Sequence, residues 1–268
     1  MAISGRRREV VAKAVRPMQS GSAEIRSIAS DVATAEGCAA TLEQALAALG
    51  GLDVLVNNAG AVRVGRRENS DEAELQARID VTAPSLLTRA TPPVLRNSSD
   101  AMMVNVSSDI VLVGAPFYET YATVTAGVAY FGEAPRPELK REGIHVLTVS
   151  SPLGRTPMMR SNRVGPEPGF TREPASAVAD VIAEGIETGA FEVVPSGQAP
   201  AQMIALNREN PGCRRRALAR FEAGARGSGK RLFGALSARQ FNHGVQLCCC
   251  KMAMSFPLLP RSRIRSAM

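Results

Sequence analysis

The chain has 268 residues, 45% of them hydrophobic and 21% charged, and a formal net charge of +7. This length accommodates one large domain with a sizeable buried core, or two small ones, and the composition argues against wholesale disorder. No stretch of 18 apolar residues occurs, so neither a spanning helix nor a membrane partner is expected.

The positive charge is not spread evenly. Residues 211–268 carry 12 Lys and Arg against the single Glu222, a balance of +11, which leaves residues 1–210 at −4. The chain therefore reads as a domain over residues 1–210 and a basic tail over 211–268, the tail lacking a sustained period and expected to be unstructured. Phe221, Phe233, Phe241 and Phe256 form no regular stacking array there, which argues against a nucleic-acid partner. Cys38 and Cys213 are isolated and Cys248, Cys249 and Cys250 are consecutive, which matches neither a zinc site nor a disulfide framework. No metal is expected. Arg6, Arg7 and Arg8 follow Met1 without an apolar segment behind them, which points away from a secretory signal and towards a cytoplasmic chain with reduced thiols.

In chain order, residues 6–15 read as a helix that Pro17 stops, residues 24–29 as a short strand, and residues 35–49 as an Ala/Leu-rich helix ended by Gly50 and Gly51. Residues 53–56 form a strand of the buried type. Ser70, Asp71 and Glu72 open a long helix towards Arg96 that Pro92 and Pro93 bend or end early. Residues 102–107 alternate as a strand, residues 118–134 as a helix, and residues 145–150 as a strand. The helix should stop near Ala134, because Pro135 and Pro137 would each cost about 3 kcal/mol in its interior. Pro174 opens a last helix with Val178, Val181, Ile182 and Ile186 on one apolar face and Gly189 at its end, and residues 191–194 close the series as a strand. Strand and helix alternating at this spacing predict an α/β fold, a doubly wound and mostly parallel sheet of the Rossmann-like kind.

Residues 52–60, Leu-Asp-Val-Leu-Val-Asn-Asn-Ala-Gly, carry an apolar strand into small residues and amides at its carboxyl end, where open α/β sheets bind ligands. Taken alone, an ordinary strand followed by an Asn/Gly turn explains it. It does not stand alone. Ser108 ends a later strand, and Tyr121 lies 13 residues further on, early in the next helix. With Asp31-Val32 one helix upstream, these features resemble the Asp-Val, NNAG and Ser/Tyr motifs of the short-chain dehydrogenase/reductase family. Ala126-Gly127-Val128, Glu138-Leu139-Lys140, the strand from His145, Thr156-Pro157-Met158 and the helix at Pro174 extend the resemblance over roughly residues 5–210.

The resemblance implies NAD- or NADP-dependent hydride transfer to or from a small carbonyl or alcohol, and is compatible with a homo-oligomer. It makes Asp31, Val32, Asn57, Ala59, Gly60 and Thr156 cofactor contacts, Tyr121 the proton carrier and Ser108 the holder of the substrate oxygen. In the family a Lys four residues after the Tyr lowers its pKa, and an Asn on the preceding helix holds a water. The Lys matters because a phenol titrates near ~10 and is only about one part in a thousand ionised at neutral pH.

Here the Lys position is Thr125 and the Asn position is Asp80, an anion that would raise the Tyr121 pKa. Ser151-Pro152 replaces the family's Pro-Gly turn. No glycine-rich turn follows a strand before Asp31, so the chain reads as lacking the family's first strand and glycine-rich turn and as opening near its second helix. Residues 23–30 must then pair elsewhere or directly with the 53–56 strand. These departures weaken cofactor binding and proton transfer separately and imply an impaired oxidoreductase. Two other readings stand beside it: an enzyme that binds cofactor unusually or borrows parts from a partner, and a non-enzymatic scaffold whose basic tail contacts anionic surfaces. The substrate loop, around residues 158–170, identifies no substrate, and the choice between NAD and NADP is not legible.

Overall fold

The computed structural model describes residues 1–19, 24–62, 78–112, 118–152, 154, 156 and 173–195. The expected start of the long helix at Ser70, the substrate loop and the basic tail lie outside them. Strands are β1 (Ala2–Gly5), β2 (Arg26–Ala29), β3 (Val54–Asn57), β4 (Met102–Ser108), β5 (His145–Ser151) and β6 (Glu192–Val193). Helices are α1 (Arg8–Val15), α2 (Ala35–Leu49), α3 (Arg78–Ala90), the single turn α4 (Pro92–Leu95), α5 (Glu119–Glu133), α6 (Arg136–Arg141) and α7 (Ala175–Glu187).

The strands form two parallel sheets, β1-β2 and β3-β4-β5-β6. Parallel strands need crossovers, and the helices between them cover both sheet faces. The alternation of side chains along β4 and β5 decides which helix each residue meets. Met102, Val104, Leu147 and Val149 pack on one face with Val178 and Ile182 of α7. Met103 and Val146 turn to the other face, against Leu95 and Leu139 from α4 and α6. Fully burying side chains of this size stabilises by roughly 1.5–3 kcal/mol each. That burial makes β4 and β5 the rigid centre on which the site is mounted.

The expectation that the chain opens near a helix meets a different structure. The chain opens on a strand rather than a helix: Ala2–Gly5 precedes α1, and Ile3 buries into a small core with Val11, Ala14, Val15 and Ile25. Four residues containing Ser4 and Gly5 give too short a run for sequence periodicity to register. The strand also settles how residues 23–30 pair, because β2 runs parallel to β1 with Ala2 opposite Arg26 and Gly5 opposite Ala29. Arg6 and Arg7 connect β1 to α1. Most later elements match to within a residue or two; the helix expected to run towards Arg96 ends at Ala90, and α6 was not anticipated. Thr34 caps α2 by accepting from the Gly37 amide at 2.9 Å, α5 ends at Glu133, and Pro174 sits directly before α7.

Candidate active site

The carboxyl ends of β3 and β4 and the first turns of α3 and α5 converge on one cavity. Among the described residues it is lined by Asn57, Ala59, Gly60, Asp80, Ser108, Tyr121, Thr125 and Thr156, with an apolar wall that includes Val106, Val128 and Pro152. Asn57, Ser108 and Tyr121, expected to meet at the carboxyl edge of the sheet, therefore do so. Asp31 and Val32 do not line this cavity. They follow β2 in the other sheet, where the Asp31 carboxylate lies 4.0 Å from the Arg6 guanidinium and accepts from the Ala33 amide at 3.1 Å. The Val32 carbonyl accepts from the buried thiol of Cys38 at 3.2 Å, and burial pushes that thiol's pKa up, with Asp31 adding to the shift. This thiol is a core group, not a thiolate.

Asn57 is a tie between elements. Its Nδ2 donates to Asn105 Oδ1 at 2.9 Å and to Thr88 Oγ1 at 3.4 Å, joining the end of β3 to β4 and α3. Sequence reading missed Asn105 and Thr88. The signal for Asn105 was a lone amide inside the apolar run 102–106, and the β3–β4 register sets it directly opposite Asn57. Asn57 Oδ1 and Asn58 Nδ2 are buried without a hydrogen-bond partner among the described residues. A buried polar atom left unpaired costs about 1–3 kcal/mol, so both are poised for a polar ligand or water.

Ser108 caps the turn that follows β4: its hydroxyl donates to Asp109 Oδ1 and accepts from the Ile110 amide, each at 3.4 Å. Both bonds are long and readily exchanged. Tyr121 sits in the first turn of α5, half-buried, its ring centroid 6.5 Å from that of Tyr118. Thr125 is buried one turn later. Its hydroxyl donates back to the Tyr121 carbonyl at 2.7 Å, as a Thr within a helix commonly does, and so offers the cavity no charge. Ser107 Oγ donates to the Thr125 carbonyl at 2.7 Å and fastens α5 to β4. That bond sets the height of Tyr121 above the sheet.

Asp80 is the unusual member. It is 5% exposed, and Oδ1 accepts from the Ala61 amide at 2.9 Å while Oδ2 is buried without a partner among the described residues. The turn is pressed against it, since a Cβ at Gly60 would come within 3.2 Å of Oδ1. Burial pushes the Asp80 pKa up to about 7, and the Ala61 hydrogen bond opposes only part of that rise. At neutral pH the acid is about half protonated. Among the described lining residues there is no Lys, Arg or His to hold it charged.

A family model described as short chain dehydrogenase matches residues 1–166. The 3-oxoacyl-[acyl-carrier-protein] reductase FabG of Staphylococcus aureus is 34% identical over 127 residues, 46% of this chain and 51% of that protein. An acetoacetyl-CoA reductase of Acinetobacter is 31% identical over 143 residues, 52% of this chain and 57% of that one. The chain spans about half the length of the curated relatives it matches. Among solved structures, a short-chain dehydrogenase from Streptomyces avermitilis superposes with a TM-score of 0.63 at 25% identity, covering 85% of this chain and 89% of that one. One from Mycobacterium smegmatis gives 0.61 at 21% identity, with 74% and 80% covered, and supports the fold alone.

Proposed function

The chain belongs to the short-chain dehydrogenase family, and from that premise we propose that the cavity is a nicotinamide-dependent site for carbonyl or alcohol oxidoreduction whose turnover is slow. The observation that carries this reading is the joint placement of Ser108 and Tyr121 on one cavity with an uncharged Thr125 behind the tyrosine. The residues present fit the nicotinamide-bearing end of such a cofactor. Asn57 Oδ1 and Asn58 Nδ2 await polar partners, and Gly60 leaves room where a Cβ would crowd Asp80. When bound, the cofactor supplies or accepts a hydride.

The protein's part is proton handling and orientation. The Ser108 hydroxyl can leave its weak bonds at 3.4 Å and donate to a substrate oxygen. The Tyr121 hydroxyl passes the proton to or from that oxygen, and the Ser107–Thr125 bond fixes the helix that carries it. No ammonium stands at position 125 to favour the phenolate, which makes the hydroxyl a weaker proton donor to a carbonyl oxygen in reduction and a less ready acceptor in oxidation. Slow turnover follows. The apolar wall and the relatives' activities make 3-oxoacyl thioesters the first substrates to try.

The test is reduction of a carbonyl panel that includes acetoacetyl-CoA, with NADH and with NADPH, by the purified chain. Slow turnover that Tyr121→Phe abolishes is the expected result. Turnover that Tyr121→Phe leaves intact, or no binding of either cofactor, overturns the proposal.

A further inference from the structure

The family position held here by Asp80 places a carboxyl group, not an amide, beside the cavity, and its surroundings give that carboxyl unusual leverage. It is buried, one oxygen is held by the Ala61 amide, and the other meets neither solvent nor a partner among the described residues. The elements packed on α3 are α2, α4 and α5. Glu36 and Glu43 of α2 and Glu119 and Glu133 of α5 are exposed, and α4 carries no charge. Tyr121 of α5 lines the cavity with Asp80. Arg89, on α3 itself, is exposed. Asp109, after β4, is buried and hydrogen-bonded to Ser108. The causes of the Asp80 shift are burial, the larger, and the Ala61 amide, which opposes it. Among the described residues lining the cavity, none carries a charge that would compensate one appearing on Asp80, which is itself 5% exposed.

We propose that Asp80 sets which redox state of a nicotinamide the cavity prefers: as a carboxylate it favours the cationic oxidised ring, and as a neutral acid it favours the uncharged reduced ring. The inference rests on the reading of the cavity as a nicotinamide site. It needs no contact between Asp80 and the ring, because a buried charge with no opposite charge among the described lining residues acts over several ångströms. An unlike unit charge bound there gains roughly tenfold or more in affinity, whereas a neutral ring gains nothing from the charge. Asp80 is a specificity residue in this account. It takes no part in the hydride step.

The experiment measures dissociation constants of oxidised and reduced nicotinamide mononucleotide for the full chain at pH 6 and pH 8.5. This probe carries the ring without the adenine half, so it reports on this cavity alone. The expected result is an oxidised-to-reduced affinity ratio that rises about tenfold between the two pH values in the wild type and stays flat in Asp80→Asn. The amide keeps an acceptor for the Ala61 amide, and Asp80→Ser is a second uncharged variant should the first fail to fold. A ratio that does not move with pH while both forms bind overturns the inference and leaves the nicotinamide site standing. A ratio that moves equally in the uncharged variants also overturns it. Binding of neither form at either pH removes the nicotinamide site and the inference together.

Discussion

Asp80 gives the sharpest consequence at the scale of single residues. Its folded-state pKa of about 7 lies above the ordinary 3.8, so the native chain keeps a proton that the unfolded chain releases. The stability this contributes is fully present below about pH 4 and is lost at roughly 1.4 kcal/mol per pH unit until the folded pKa is passed, on the order of 4 kcal/mol in all. Asp80→Asn should remove that slope and leave the variant more stable than the wild type at pH 8, as read by urea midpoints across pH 5–8. An unchanged slope would show that the carboxyl is hydrated. Thr125 gives the second consequence. Thr125→Lys brings an ammonium into a cavity whose described lining holds no other cation, so it should draw the Asp80 titration down and favour the Tyr121 phenolate. The gain should appear in kcat for carbonyl reduction at saturating reduced cofactor, with KM for that cofactor little changed, because its ring is uncharged.

At the scale of elements, the α5–β4–β5 contact positions the site. A Cβ on Gly132 would lie 2.6 Å from Thr148 Oγ1 and 3.2 Å from Asn105 Nδ2. Thr148 cannot swing away freely, since its hydroxyl accepts from Arg136 Nη2 at 2.9 Å. In Gly132→Ala the helix gains up to about 1 kcal/mol in propensity and meets roughly 1–3 kcal/mol of overpacking, so the variant should be less stable. Chemical denaturation checks the sign, and a more stable Gly132→Ala would mean that the contact is looser than described. Most elements were legible in the sequence because each carries a strong local signal: the glycines after α2, the prolines after α5, the apolar run of β5. The Ser108, Tyr121 and Thr125 triplet was legible through its resemblance to a family pattern. What was not legible depends on pairing between distant segments. β1 is four residues long and is defined by its partner β2. The Asn57–Asn105 bond exists only in the β3–β4 register, and the high pKa of Asp80 comes from burial that no local pattern encodes.

At the scale of the whole molecule, the described strands divide into sheets of two and four. β3 pairs with β4 on one side only, and Val56 is 42% exposed. The β3 amides that point away from β4 should therefore exchange hydrogen faster than those of β4, which is paired on both sides, by the margin separating an edge from a core strand. Equal protection would mean that another strand covers β3. Charge is divided as sharply as the sheets. Deleting residues 211–268 takes the chain from +7 to −4, so salt-dependent retention on a polyanion matrix should disappear while nicotinamide binding remains. The central proposal is that Ser108 and Tyr121 still orient the substrate and handle the proton of a nicotinamide-dependent reduction without a lysine at position 125. Its most direct test is transfer of deuterium from 4-deuterated NADH or NADPH to the carbonyl carbon of acetoacetyl-CoA by the full chain. The account predicts slow incorporation at that carbon and none in Tyr121→Phe. Absence of label in the wild-type product after prolonged incubation, or equal incorporation by Tyr121→Phe, would contradict it.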